Sequence, residues 1–179
     1  MIKLKSLIKY IPFLLLTIVF TSCGDDDETQ EEVDVFAGCC SEEPVYGANV
    51  NNLDESNGEI IVYNLFTPNN DAINDAFGIV NIENYDNHTV TIYDIDDNIV
   101  FESSNYVGFG NLFPDGEQGQ FGSENYSDGT YKYKIVIENE DVFRKSGTFC
   151  LFGDFSALDE QNFSDCTIGS QFDPALTGN

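Results

Sequence analysis

A short stretch rich in side-chain oxygens is the first candidate for chemistry. Asn69, Asp71, Asn74 and Asp75 place two carboxylates and two carboxamides within seven residues. Ca²⁺ takes six to eight oxygen ligands of these kinds, so the stretch is a candidate calcium site, although it lacks the spacing and distal Glu of an EF-hand. The competing interpretation is that these side chains accept backbone N–H groups and fix turns beside Pro68. Calcium is the one cofactor that the sequence suggests.

Four of the five cysteines are predicted to form two disulfides once Cys23 is set aside as a lipidation site. Neighbouring cysteines form a strained ring if they bond to each other, so Cys39 and Cys40 should each bond to Cys150 or Cys166. Both connectivities remain open. A metal site is the rival interpretation, but the cysteines have no C-x-x-C spacing and no His nearby.

Catalytic residues are not evident. The single histidine, His88, lies in Asp86–Thr89 and is predicted to be an exposed turn residue rather than a general base. Carboxylates are so numerous that no pair stands out as a glycosidase dyad. The sequence therefore predicts a protein that is not an enzyme.

A segment rich in Gly, Asn and Ser, residues 103–130, contains several aromatic side chains. Their two interpretations are a surface that stacks on sugar rings or anchors a protein partner, and a cover over the sheet edge that belongs to the core. The core interpretation is favoured. The residues are Tyr106, Phe109, Phe113, Phe121 and Tyr126.

The N-terminus has the pattern of an export signal. Met1–Lys9 is basic and Tyr10–Phe20 is an apolar run, too short to span a bilayer. Phe20–Gly24 resembles a bacterial lipobox, which predicts that Cys23 receives diacylglycerol. The acidic stretch Gly24–Asp34 resembles the surface-export signal of Bacteroidota lipoproteins, and a solvated spacer explains it equally well. We therefore expect a lipid-anchored outer-membrane protein exposed on the cell surface.

The charge balance excludes one class of partner. The 179 residues include 32 acidic and 7 basic side chains, for a net charge of −25. A field of this sign repels nucleic acid. The membrane is expected to be contacted through the lipid anchor, and the remaining partner is an unidentified surface protein or polysaccharide.

The body of the chain is predicted to be all-β. In Tyr131–Ile137 the apolar residues alternate with Lys132 and Lys134, as in a half-buried strand. Val142–Phe152 is its predicted hairpin partner, with a break at Gly147. Further strands are predicted at Glu59–Phe66, Ala76–Ile82, Thr89–Ile95 and Ile99–Glu102. About six to seven short strands indicate an antiparallel β-sandwich.

One segment carries a family resemblance. Asn64–Phe77 reads N-L-F-T-P-N-N-D-A-I-N-D-A-F and resembles the opening signature of the gliding motility-associated C-terminal domain family, approximately N-x-F-T-P-N-G-D-G-x-N-D-x-F. Further ordered matches lie at Ile82–Tyr85, Val90–Tyr93, Val100–Ser103, Asp128–Tyr133 and Lys145–Phe149. The resemblance implies an Ig-like β-sandwich that usually serves as the type B sorting module of the type IX secretion system. Such modules sit at the C-terminus of large exported adhesins and enzymes.

The resemblance divides the chain into four parts: a signal peptide (1–22), a lipidated tether with a pre-domain segment (23–58), the sandwich (59–152) and a tail (153–179). Little room is left for a passenger, and Asp94–Asp97 replaces the family's usual Asn-Arg-Trp-Gly turn. We therefore expect a non-enzymatic surface lipoprotein that acts in adhesion, in ligand binding or as an accessory to gliding or type IX secretion. The alternatives are a type IX sorting module, and a polysaccharide-binding component or hydrolase of a glycan locus.

Overall fold

The strands follow the order that the sequence predicts. A computed structural model describes residues 33–108, 110–114, 126–138, 142–153, 163–170 and 172–177. Within these ranges the strands are β1 (Ile61–Val62), β2 (Leu65–Phe66), β3 (Ile79–Val80), β4 (His88–Tyr93), β5 (Ile99–Ser103), β6 (Gly129–Glu138) and β7 (Val142–Leu151). Two 3₁₀ turns (Glu55–Asn57 and Ile82–Asn84) and a one-turn helix, α1 (Pro174–Thr177), complete the described elements. None of these helices has the length and apolar character needed to span a membrane.

The longest hairpin follows from alternating side chains. β6 and β7 pair antiparallel over ten residue pairs, from Gly129 with Leu151 to Glu138 with Val142. In β6 the side chains of Tyr131, Tyr133, Ile135 and Ile137 are buried, and the intervening lysines are only partly covered. The predicted alternation is therefore confirmed.

The strands form two sheets. β1 pairs with β3, and a five-stranded sheet has the order β2-β7-β6-β4-β5. Together they are consistent with the expected Ig-like β-sandwich of seven strands. The predicted strand Glu59–Phe66 is in fact two strands, because the chain leaves one sheet after Val62 and enters the other at Leu65.

One pairing differs from the antiparallel prediction. β2 pairs with the end of β7 in parallel, Leu65 with Cys150 and Phe66 with Leu151. A hairpin must be antiparallel, but these strands are separated by most of the sandwich, so no turn fixes their relative direction.

The main core lies between the two sheets and is dominated by aromatic rings. Phe149 lies 4.3 Å from Phe77 and 5.6 Å from Phe66, measured between ring centroids. Phe113 and Tyr106, which belong to the long segment between β5 and β6, are buried in the same cluster, and Tyr126 packs against it. The core interpretation of these three aromatics is thus confirmed, whereas Phe109 and Phe121 lie outside the described residues.

Residues 41–50 run along the otherwise open edge of β7. The backbones of Val50 and Arg144 exchange hydrogen bonds of 2.8 and 3.0 Å, and Thr148 N–H donates to the Ser41 carbonyl at 2.8 Å. β7 continues through Gly147, so the predicted break there is wrong. A Cβ at Gly147 would lie 2.6 Å from the Ser41 oxygen, which shows that glycine is needed for this close approach rather than for a break.

His88 is not the exposed turn residue that the sequence predicts. It begins β4, is 4 % exposed, and its Nε2 accepts the Tyr106 N–H at 2.7 Å while Nδ1 bonds to the Tyr85 carbonyl. Nε2 is therefore the acceptor, which leaves the proton on Nδ1. Both ring nitrogens are used to hold backbone, so His88 ties the segment after β5 to the sheet.

Candidate functional site

The signature loop, residues 67–75, connects the two sheets and is organised around Asp75. Its Oδ1 accepts the N–H groups of Asn69 and Asn70 at 2.9 and 2.7 Å, and its Oδ2 accepts the N–H of Ala72 at 2.7 Å. One nearly buried carboxylate thus holds three backbone donors. The loop is closed where Thr67 N–H donates to the Asn74 carbonyl at 2.8 Å.

The other predicted calcium ligands are also engaged. Asp71 Oδ1 accepts the Ile73 N–H at 2.8 Å, and Asn69 Oδ1 accepts the Asp71 N–H at 2.9 Å. Asn74 points away from this group towards the tail. The four residues are thus neighbours in one loop, but their oxygens accept N–H groups, as the turn-fixing interpretation expects.

A calcium titration tests the remaining metal prediction. We expect Ca²⁺ and Mg²⁺ at equal ionic strength to shift the melting temperature equally, since a highly acidic chain gains from any divalent cation. Asp75→Asn should lower the free energy of unfolding by about 1.5–3 kcal/mol, because a carboxamide oxygen replaces a charged acceptor of three N–H groups. The exposed Asp71→Asn is the matched control and should have a smaller effect. A shift selective for Ca²⁺ that disappears in both variants would establish a metal site instead.

Backbone geometry explains two glycines in the family pattern. Asn70 and Ala72 stand where the pattern has Gly, and both have left-handed backbones, with φ of 65° and 70°. Asn tolerates this region, whereas an alanine Cβ meets the following carbonyl oxygen there.

Ala72→Gly is therefore expected to stabilise the protein. Relief of the left-handed strain, about 1–2 kcal/mol, exceeds the added entropy of glycine in the unfolded chain, about 0.4–1 kcal/mol. Ala76→Gly is the matched control, since Ala76 does not have a positive φ, and it should destabilise by about 0.5–1 kcal/mol. Chemical denaturation of both variants measures the two effects, and equal signs would contradict this account.

The tail is hydrogen-bonded to the signature segment by two asparagines. Asn64 N–H donates to the Thr167 carbonyl at 2.9 Å, and its Oδ1 accepts the Thr167 N–H at 2.7 Å. Asn74 Oδ1 accepts the Ser170 N–H at 2.9 Å, and its Nδ2 donates to the Ser170 carbonyl at 3.0 Å. Each asparagine thus pairs with one tail residue as a neighbouring strand would.

A buried carboxylate completes the contact. Asp173 has no exposed surface, and its Oδ2 accepts the Asn74 Nδ2–H at 2.9 Å and the hydroxyl of Thr67. The tail had shown little periodicity, and its contacts are polar and about a hundred positions apart in the chain. In the sequence, only the unusual Asn and Thr content of the segment Asn64–Phe77 pointed to these tail contacts.

The cysteines join the pre-domain segment to both β7 and the tail. Cys39 bonds to Cys150 and Cys40 bonds to Cys166, so each of the neighbouring pair reaches elsewhere, as predicted, and one of the two open connectivities is selected. The sulfurs of Cys39, Cys40 and Cys150 form a close group of metal-ligand type, but all belong to these disulfides.

A second, smaller core surrounds the disulfides. The rings of Phe36, Phe152 and Phe163 lie 5.4–5.7 Å apart pairwise, and Leu65 is buried among them. The three rings come from the pre-domain segment, the residue after β7 and the tail, while Leu65 belongs to β2. The flanking segments therefore pack against the β2–β7 end of the sheet through a second apolar core.

The acidic turn between β4 and β5 is held from two directions. Asp94 accepts the N–H groups of Asp96 and Asn98, both at 2.9 Å. Lys132 and the Tyr46 hydroxyl each donate to Asp97 at 2.8 Å, and these hydrogen bonds hold the pKa of Asp97 below its usual range. The exposed turn thus carries a structural ion pair in place of the family's Trp-containing turn.

Cys23 lies outside the described residues, so its lipidation stays a prediction. Among the other predicted site residues, the structure brings the four cysteines together and places the four loop residues side by side. The tail residues Thr167, Ser170 and Asp173 were missed by sequence reasoning. Ser170 and Asp173 adjoin the loop through Asn74 and Thr67 rather than through its carboxylates, and Thr167 contacts Asn64, which precedes the loop.

Comparison with known families accounts for the sandwich. The family model of the CHU_C type IX secretion signal domain matches residues 60–151, just over half of the chain. A match to the nematode insulin-related peptide beta type is confined to residues 14–48 and is too short to assign a family. No curated protein and no solved structure matches the chain. The family match spans every strand from β1 to β7, and on this basis the chain belongs to the CHU_C type IX secretion signal domain family.

Proposed function

We propose that the sandwich acts as a sorting module that the type IX secretion machinery recognises. The observation that carries this proposal is the extent of the family match, whose limits at residues 60 and 151 lie within one residue of the start of β1 and at the end of β7. The match therefore covers all seven described strands rather than an isolated motif.

The packing supports a role in recognition rather than catalysis. Polar groups that could do chemistry are engaged in structural hydrogen bonds: His88 contacts two backbone groups, Asp75 accepts three backbone N–H groups, and Asp173 accepts two side-chain donors. A disulfide-linked sandwich presents a rigid surface, which suits a domain that another protein recognises.

A fusion experiment tests the sorting role. A reporter enzyme with a periplasmic export signal is joined to residues 24–179 and expressed in a bacterium with a type IX system. We expect the reporter at the cell surface or in the medium, and we expect it to remain in the periplasm in a strain without the translocon. The matched control carries Phe149→Ala, which damages the core without touching the exposed surface. Periplasmic retention of the folded fusion in the competent strain would contradict the proposal.

We further propose that the chain is a surface lipoprotein anchored through Cys23. The supporting observation is the sequence Phe20–Gly24 after an apolar run. This is compatible with sorting, because a lipid anchor and a sorting module can act in succession. In the same host, Cys23→Ala in the full chain should move the protein from the membrane fraction to the soluble fraction. An adhesive or glycan-binding role on the surface would then be tested on the purified chain.

A further inference from the structure

We propose that Asn64, Thr67 and Asn74 form a binding site for a peptide segment that carries a carboxylate, and that the chain's own tail is its resident ligand. The ligand needs a glycine, then a residue whose backbone groups hydrogen-bond with Asn74, and an aspartate three positions after that residue. In the tail these are Gly169, Ser170 and Asp173. The inference does not depend on the sorting role.

The site recognises backbone in the way that a sheet edge does. The side chain of Asn74 both donates to and accepts from Ser170, and Asn64 does the same for Thr167 with its backbone N–H and side-chain oxygen. These contacts read peptide groups, so they do not depend on the identity of Thr167 or Ser170. The tail bends at Gly169, between the two residues that make these contacts.

Specificity comes from two further contacts. The carboxylate of Asp173 is fully buried, where it accepts the Thr67 hydroxyl and the Asn74 amide. At Gly169 an added Cβ would lie 3.0 Å from both Asn74 Oδ1 and the Tyr63 ring. The site therefore favours glycine at one position and an acidic side chain at the fourth position after it.

The ligand is separable from the domain that binds it. The tail lies beyond the family match, which ends at residue 151, while Asn64, Thr67 and Asn74 lie inside it. The Cys40–Cys166 disulfide keeps this ligand next to its site. Removing that covalent link should leave an equilibrium between the bound tail and the empty site.

A cleavable chain tests this equilibrium. The complete chain is made with Cys40→Ser and Cys166→Ser, and a protease recognition sequence is inserted between residues 153 and 163. After cleavage, a fluorescent peptide covering residues 163–177 with Cys166→Ser is added, and its anisotropy is followed. We expect saturable binding that the unlabelled peptide reverses. Asp173→Asn in the peptide should weaken binding at least about tenfold, because a charged hydrogen-bond acceptor is lost.

Three further variants complete the test, and Phe172→Ala is the matched control among them. Gly169→Val in the peptide should weaken binding, because the added side chain would crowd Asn74 and Tyr63, and Asn74→Ala in the protein should weaken it as well. Phe172→Ala in the peptide should change little, since Phe172 is 87 % exposed. Circular dichroism confirms that the cleaved protein stays folded. Loss of the fold on release of the fragment, failure of the peptide to exchange, or binding indifferent to Asp173 and Gly169 would each overturn the proposal.

Discussion

Reduction of both disulfides is expected to lower the free energy of unfolding by about 5 kcal/mol or more. The bonds join residues 111 and 126 positions apart, and a loop of this length loses about 4.8 kcal/mol of chain entropy in the unfolded state. The loops overlap, so the second bond adds less than the first. Domains are stable by only about 5–15 kcal/mol, so the reduced protein should be close to unfolding.

Denaturant unfolding with and without a reductant measures this loss. Cys40→Ala with Cys166→Ala, and Cys39→Ala with Cys150→Ala, separate the two bonds. Removing the Cys39–Cys150 bond should lower the free energy of unfolding more than removing the Cys40–Cys166 bond, because Cys150 is fully buried whereas Cys166 is partly exposed. Thiol titration of the unreduced, denatured protein should detect no free thiol among these four cysteines. Four free thiols, or a midpoint that a reductant leaves unchanged, would refute the account.

Phe149→Ala is expected to destabilise the protein by about 3–5 kcal/mol, the range found when a buried aromatic side chain is deleted. The Phe149 ring has no exposed surface and stacks on Tyr131 with centroids 5.6 Å apart and planes 14° apart. Its centroid also lies 4.3 Å from that of the Phe77 ring. These neighbours are held by the strands and the signature segment, so they cannot move in to fill the cavity.

A second phenylalanine provides the control. Phe172 is 87 % exposed, so Phe172→Ala should change the free energy of unfolding by less than about 0.5 kcal/mol. Thermal and chemical unfolding of both variants give the comparison. Similar losses for the two positions would mean that the aromatic core does not dominate stability.

The parts of the fold that could be predicted are those fixed by local pattern. The β6–β7 hairpin was evident because Tyr131 and its alternate neighbours are apolar while Lys132 and Lys134 are not. The β4–β5 hairpin was evident from the polar turn at Asp96–Asn98. Two disulfides were indicated by the cysteine count once Cys23 was set aside, and the strained ring of a bond between Cys39 and Cys40 excluded that pairing.

The parts that could not be predicted depend on distant, mostly polar contacts. Nothing near β2 signals that Leu65 pairs in parallel with Cys150. His88 looked like a turn residue because its two partners, the Tyr85 carbonyl and the Tyr106 N–H, are backbone groups that leave no trace in the side-chain pattern. The contact of Asp173 with Thr67 and Asn74 is hidden for the same reason, since an isolated Asp in a polar tail normally indicates solvent exposure.

The placement of the disulfides also has a mechanical consequence. When the chain is pulled before Cys39 and after Cys166, the force passes from Cys39 to Cys40. It then crosses the Cys40–Cys166 disulfide directly to the tail. The load path is then covalent almost throughout, and the seven strands lie on a slack loop beside it. Tension of this kind would not unzip the hydrogen bonds of the sheet. The sandwich can therefore keep its shape while the chain that carries it is under strain.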